Sequence, residues 1–241
     1  MRCNKIYCIR VMKRVINQYC AILLIISSIS CNNKDNSKSY ITGDIALFYA
    51  TISTYCAPDR LAFSYCGSKE GEFFYWIDIV GNQIASVADV IEQTNRAERY
   101  FELQERYNDY PKRPVKILNK YPEGWLLPSH HVVIYDLIKV DIIALEDWND
   151  HYPKGTLLNS IFKLSYYSPK NYIESGFTTD ANEMFVCNVE DIPNKPIELI
   201  SCMQTTYLTT TELPTVARPD VHIKYYFSNG SILEQKLTLS D

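Results

Sequence analysis

The sequence predicts a mainly β protein: an antiparallel β-sandwich or barrel-like domain with one or two helices inserted near residues 84–107. Three observations predict it. Seven or more segments are rich in β-branched and aromatic residues and end in turn residues. Apolar residues recur at helical spacing in one stretch, residues 84–107. Composition is that of a packed domain, with 46% hydrophobic and 22% charged residues, which excludes wholesale disorder.

Taken in order, residues 44–57 and 72–80 read as strands, and Gly81-Asn82 reads as a turn after the second. Residues 84–107 carry Val87, Val90, Ile91, Ala97, Phe101 and Leu103 at intervals nearer three and four than two. They predict one helix, or two broken near Thr94-Asn95. Pro111, Pro114, Pro122 and Pro128 then punctuate a long loop. Residues 131–146 are strongly apolar. From Leu137 they alternate, placing Ile138, Val140, Ile142 and Ala144 on one face and Lys139 and Asp141 on the other, as in a half-buried strand. Residues 161–168, 183–189 and 197–208 are further strands, the last leading into a threonine-rich run unsuited to a helix.

The C-terminal hairpin has two candidate registers. A two-residue Asn229-Gly230 turn pairs Phe227 with Ile232, but also Ile223 with Lys236. A three-residue loop, Ser228-Asn229-Gly230, pairs Tyr225 with Leu233 and Val221 with Leu237 on one face, and Lys224 with Glu234 on the other. The second sorts apolar from charged residues, and a slip of one residue reverses every side chain. The three-residue loop is therefore predicted, with Gly230 in the left-handed position of a bulge.

The N-terminus reads as an address. Residues 1–14 hold Arg2, Lys5, Arg10, Lys13 and Arg14 and no acid. An apolar stretch follows, densest over Cys20–Ile26, and Ser27, Ser28, Ile29 and Ser30 lead into Cys31. Charged, apolar and small, in that order, is a signal peptide. The apolar part falls short of the ~20 residues that cross a bilayer. A cysteine directly after small residues resembles the lipobox of bacterial lipoproteins, with Ser28 where a leucine is usual, a relaxed form familiar in Bacteroidota. The resemblance implies cleavage before Cys31 and lipidation of its thiol. Stable anchoring then takes more than one acyl chain. The organisation expected is a signal peptide over 1–30, a polar tether over 31–42 and a single mostly β domain over 43–241.

Removing the five leader cations from 24 basic residues leaves 19 against 28 acidic ones, a net charge of −9. So acidic a domain repels polyphosphate, which argues against nucleic acid as a partner. Lys112, Arg113, Lys116 and Lys120 read as a solvated loop. Four cysteines follow the lipidation site. In an oxidising compartment their proximity in sequence favours Cys56–Cys66 and Cys187–Cys202 as disulfides. The alternative is four free thiols packed as small hydrophobes.

No cofactor or metal is expected. Glu146-Asp147-Trp148-Asn149-Asp150-His151 is the densest polar cluster. As a calcium loop from Asp147 it fails, because Tyr152 falls where glycine is required and Leu158 where the bidentate Glu belongs. It reads as an Asp/Asn-rich turn after a strand. His130 and His131, adjacent in a strand, point to opposite faces and do not make a ligand pair. The sequence has no Gly-x-Ser-x-Gly, His-Glu-x-x-His or Gly-x-Gly-x-x-Gly, so no catalytic residue is assigned.

The run Leu137–Phe162 combines a strand, an acidic-aromatic pair, Pro153-Lys-Gly155 and a Leu158-Asn159 turn. It is similar to a segment of uncharacterised Bacteroidota lipoproteins, a family of unknown function. That resemblance implies the same envelope address and a β fold, and it supplies no catalytic residue. Tyrosine is unusually abundant, 19 residues beside Trp76, Trp125 and Trp148. Such side chains join an apolar face to a polar tip and suit interfaces. The expectation is a non-catalytic binding or assembly lipoprotein of the outer membrane, presenting a tyrosine-rich surface to an envelope protein or glycan. The alternative is a polymer-acting hydrolase with dispersed carboxylates.

Overall fold

Glu70-Gly71 starts the architecture. Both residues have positive φ, 55° and 85°, the backbone of a tight two-residue hairpin turn. It joins the two longest strands, β1 (Ile52–Lys69) and β2 (Glu72–Ser86), in antiparallel register from Lys69 opposite Glu72 to Thr54 opposite Ser86. The computed structural model describes residues 51–109, 130–202 and 204–238. The expected signal peptide, Cys31, the tether, strand residues 44–50 and the basic loop around Lys112 lie outside them.

Nine strands among the described residues form two sheets. After β2 come α1 (Val87–Ile91), α2 (Ala97–Arg106), β3 (His130–Val133), β4 (Leu137–Ala144), β5 (Lys163–Tyr167), α3 (Lys170–Glu174), β6 (Met184–Asn188), β7 (Thr206–Thr210), β8 (Val221–Phe227) and β9 (Ile232–Leu237). The larger sheet runs β3-β1-β2-β7-β5-β6 and the smaller β4-β8-β9. Their facing sides share one core. Phe73, Tyr75, Ile77, Leu164 and Leu208 from the first sheet pack with Val140, Ile142, Ile223, Tyr225 and Leu233 from the second. The fold is mainly β and sandwich-like, as expected. The larger sheet is mixed rather than purely antiparallel, because β3 pairs parallel to β1.

Several departures have local causes. β1 runs on to Lys69 despite breaks in alternation. Register shifts at Tyr55/Cys56, Pro58/Arg60 and Phe63/Tyr65 re-aim its side chains each time. β3 pairs only with residues 52–56, and Pro58 lies just beyond that pairing, beside the second register shift, where proline is tolerated in a strand. Gly81-Asn82 does not turn. β2 passes straight through both to Ser86. Residues 131–146 contribute to two strands rather than one, parted at residues 134–136. A shift between Leu137 and Lys139 turns Ile138 outward, so it does not share the buried face of Val140 and Ile142. Residues 197–202 form no named strand: they meet their neighbours through the bridges Leu137–Ile197 and Val132–Ser201 and through backbone bonds such as the Cys202 amide to the His131 carbonyl, and β7 begins at Thr206.

Two helices occupy the predicted insertion, broken at residues 92–96, and α3 is a third, short one. Ser86 starts α1 with a capping box: its hydroxyl accepts from the Asp89 amide, and Asp89 accepts from the Ser86 amide at 2.8 Å. α2 buries Tyr100 and Leu103 in a second core with Ile52, Tyr55, Ala85 and Val132. The C-terminal hairpin takes the three-residue loop: Tyr225 faces Leu233, Val221 faces Leu237 and Lys224 faces Glu234. Gly230 has φ 85°, the left-handed conformation foreseen for it.

Candidate functional site

Alternation along β2 splits its aromatic residues between two faces. Phe73 and Tyr75 enter the core, while Phe74 and Trp76 take the opposite, outer side of the sheet. Cross-strand register extends that outer side into rows. Tyr65, Trp76, Tyr207, Ser165 and Val186 are successive partners across β1, β2, β7, β5 and β6. Beside this row run Gly67, Phe74, Thr209, Lys163 and Asn188.

Four rings therefore make a continuous strip. Tyr65 lies 5.2 Å from Trp76 and 5.8 Å from Phe74, centroid to centroid. Phe74 and Trp76 stack at 5.8 Å with 25° between planes, and Tyr207 meets Trp76 edge-on at 5.8 Å. These separations suit mutually attractive aromatic pairs. The Tyr65 ring leans over Gly67, where a Cβ would lie 3.0 Å from its hydroxyl oxygen. Tyr65 is 50% exposed and Trp76 38%; at the far edge of the sheet Val186 is 57% exposed and Met184 49%. Large apolar side chains grouped on one exposed face are the material of which protein contact surfaces are generally built.

The polar candidates serve the fold. Trp148, from the acidic cluster, is buried between Phe73 and Phe162, edge-on to both at 5.4 and 5.5 Å. Its indole N–H donates to the Glu212 carbonyl at 2.8 Å. Asn149 accepts from the His151 amide at 2.9 Å and Asp147 from the Lys154 amide at 2.7 Å, so the cluster is a hydrogen-bonded turn. His130 is buried and His131 half-buried, and burial lowers the proton affinity of each. No group of three or more His, Cys, Asp or Glu side chains among the described residues is arranged to hold a metal ion.

Burial pushes two acids up. Asp109 accepts the amides of Ile52 and Thr51 at 2.9 and 3.1 Å, and its carboxyl stands at about 7 because desolvation outweighs those bonds. Asp136 is raised by burial and then by nearby Glu198, which is itself committed to an ion pair with Lys170. Asp89 goes the other way. Burial raises it, but hydrogen bonds from Ser86, Thr94, Arg96 and Gln83 overcome that and hold it at about 2.

The cysteines do not follow the expected pairing. All four described thiols are free. Cys56 and Cys66 lie on one strand, ten residues apart, hence roughly 30 Å at strand rise, against ~6 Å for a disulfide's Cα atoms. The Cys202 thiol is hydrogen-bonded to Cys56, not paired with Cys187, which sits on β6 opposite Leu164. Sequence proximity misled because an extended strand carries neighbours apart.

Tyrosine abundance pointed to an aromatic surface but could not say which rings form it. Glu70-Gly71 was the available signal: a two-residue turn there places Tyr65 beside Phe74 and Trp76. Comparison with protein-family models, with curated proteins and with solved structures finds no match to this chain. No described helix is long and apolar enough to cross a membrane.

Proposed function

We propose that this chain is an outer-membrane lipoprotein of a bacterial envelope, of the Bacteroidota type, cleaved before Cys31 and anchored by lipid on that residue. Its β domain works as a non-catalytic binding or assembly module that docks a protein partner on the outer face of the six-stranded sheet. The observation that carries this reading is the strip Tyr65–Phe74–Trp76–Tyr207, in which Tyr65 and Trp76 are exposed and Phe74 and Tyr207 half-buried. Aromatic anchors dominate protein interfaces because they bury large area at small entropic cost. Exposed Val186 and Met184 extend the same face with aliphatic surface, which favours a protein over a polyhydroxylated glycan. The charge order ahead of Cys31 supports the address.

The test is quantitative capture from native outer membrane. Trp76→Ala and Tyr65→Ala are each expected to weaken recovery of the partner at least tenfold, the ~1.4 kcal/mol or more lost with an interface anchor. Ile138→Ala, on the other sheet and also exposed, is expected to leave recovery unchanged. Cys31→Ala is expected to release the protein from the membrane and leave binding by the detached domain intact. Equal recovery by Trp76→Ala and the parent protein would remove the aromatic face as the binding site.

A further inference from the structure

Cys56 and Cys202 belong to distant parts of the chain that the larger sheet brings together. The Ile134 amide donates to the Cys56 carbonyl on one side of the β3 segment, and the Cys202 amide donates to the His131 carbonyl on the other. Their side chains converge on Gly81. A Cβ at that glycine would lie 2.6 Å from the Cβ of Cys56 and 3.4 Å from the Sγ of Cys202. The first distance is a clash, so a residue that composition marks as a turn is here the gap that admits two cysteines. Cys66 and Cys187 have other surroundings: Tyr75 and Arg218 for the first, Tyr166 and Asp191 for the second.

We propose that Cys56 and Cys202 are a disulfide-forming pair, a covalent staple between β1 and the segment that precedes β7. The two thiols already share a hydrogen bond, with Cys202 as donor, which lowers the Cys56 pKa and raises that of Cys202. The oxidant is an external disulfide of the glutathione class. One cysteine of the pair loses its proton and attacks one sulfur of that disulfide as its thiolate, and the first small thiol leaves. The other then attacks the Sγ of the first as its thiolate and expels the second small thiol. Two cysteine protons end on the two released thiols, and the two electrons given up by the pair reduce the external disulfide. In the cell this step needs an oxidising compartment, and to that extent it rests on the envelope location proposed above.

The test is disulfide mapping on the purified full chain. The protein is incubated natively with glutathione disulfide, acid-quenched, unfolded, alkylated and digested without reductant. The expected product is a cross-linked peptide joining Cys56 to Cys202, with Cys66 and Cys187 recovered alkylated. In a Cys202→Ser variant that species is lost and Cys56 becomes alkylated. Alkylation of both Cys56 and Cys202 in the parent protein, or Cys56–Cys66 or Cys187–Cys202 as the dominant link, would overturn the proposal. Acid-trapping the protein in its own cells separates the two ideas. A pair that closes in the purified chain but stays reduced in the cell supports the disulfide site and counts against the envelope address.

Discussion

Asp89 shows how one buried charge is made tolerable. Its carboxylate accepts from the Ser86 amide at 2.8 Å, from Gln83, Ser86 and Thr94 at 2.9 Å, and pairs with Arg96 at 2.8 Å. These bonds close the turn between α1 and α2 onto the end of β2. Replacing it by alanine leaves the buried amide and hydroxyl of Ser86 without their acceptor and frees Thr94 and Arg96, so Asp89→Ala is expected to cost about 2–3 kcal/mol. Asp89→Asn, which keeps an acceptor, is expected to cost less. Urea unfolding of the two variants checks this, and equal stabilities would show the network to be dispensable. Tyr65 and Trp76 have the opposite status: half-exposed rings whose removal should change binding more than stability.

At the scale of elements, the loop after β4 depends on a single ring. Trp148 fills the core between Phe73 and Phe162 and ties its segment to Glu212 through the indole N–H, while the Thr215 amide donates to its carbonyl at 2.7 Å. The acidic residues around it face turns rather than ligands. Trp148→Ala is expected to destabilise by about 3–5 kcal/mol, and Trp148→Phe by less, since it keeps most of the volume and loses the hydrogen bond. Thermal unfolding measures both. A loss below 1 kcal/mol for Trp148→Ala would mean that the loop folds without its anchor. The same scale explains β1, whose register shifts and proline spoil a simple alternation although the strand is long and continuous.

For the whole molecule, buried acids set the pH response. Asp109 stands at about 7 in the fold against ~3.9 unfolded, so between those values the folded protein holds a proton that the unfolded chain has lost. Its contribution is complete below ~3.9 and disappears as pH rises through about 7. Asp136, also raised, has the same sign. Asp89, lowered to about 2, has the reverse sign: its contribution is present above ~3.9 and is lost as pH falls through about 2. Through these acids stability is expected to fall from pH 4 to pH 8, opposed below ~6.5 by His130 and His131, whose lowered proton affinity has the reverse sign, and Asp109→Asn is expected to remove the Asp109 part of that slope. Urea midpoints across this range test it; a variant with the parent's slope would remove Asp109 as the cause.

What the sequence determined by itself is whatever depends on local pattern. The β class, the helical insertion and the three-residue hairpin loop all follow from periodicity and turn chemistry, because neighbouring side chains along one element must sort onto two faces. The fate of Tyr65, Phe74, Trp76 and Tyr207 required the tertiary structure, since Tyr207 reaches Trp76 only when β7 pairs with β2 across 131 positions of chain. The cysteines make the same point. Cys56 and Cys66 are close in sequence and far apart along a strand, whereas Cys56 and Cys202 meet because the sheet folds β1, β3 and the 200–202 segment side by side. Long-range pairing is decided by how the two sheets share one core, and that information is spread over the chain rather than written at any one site.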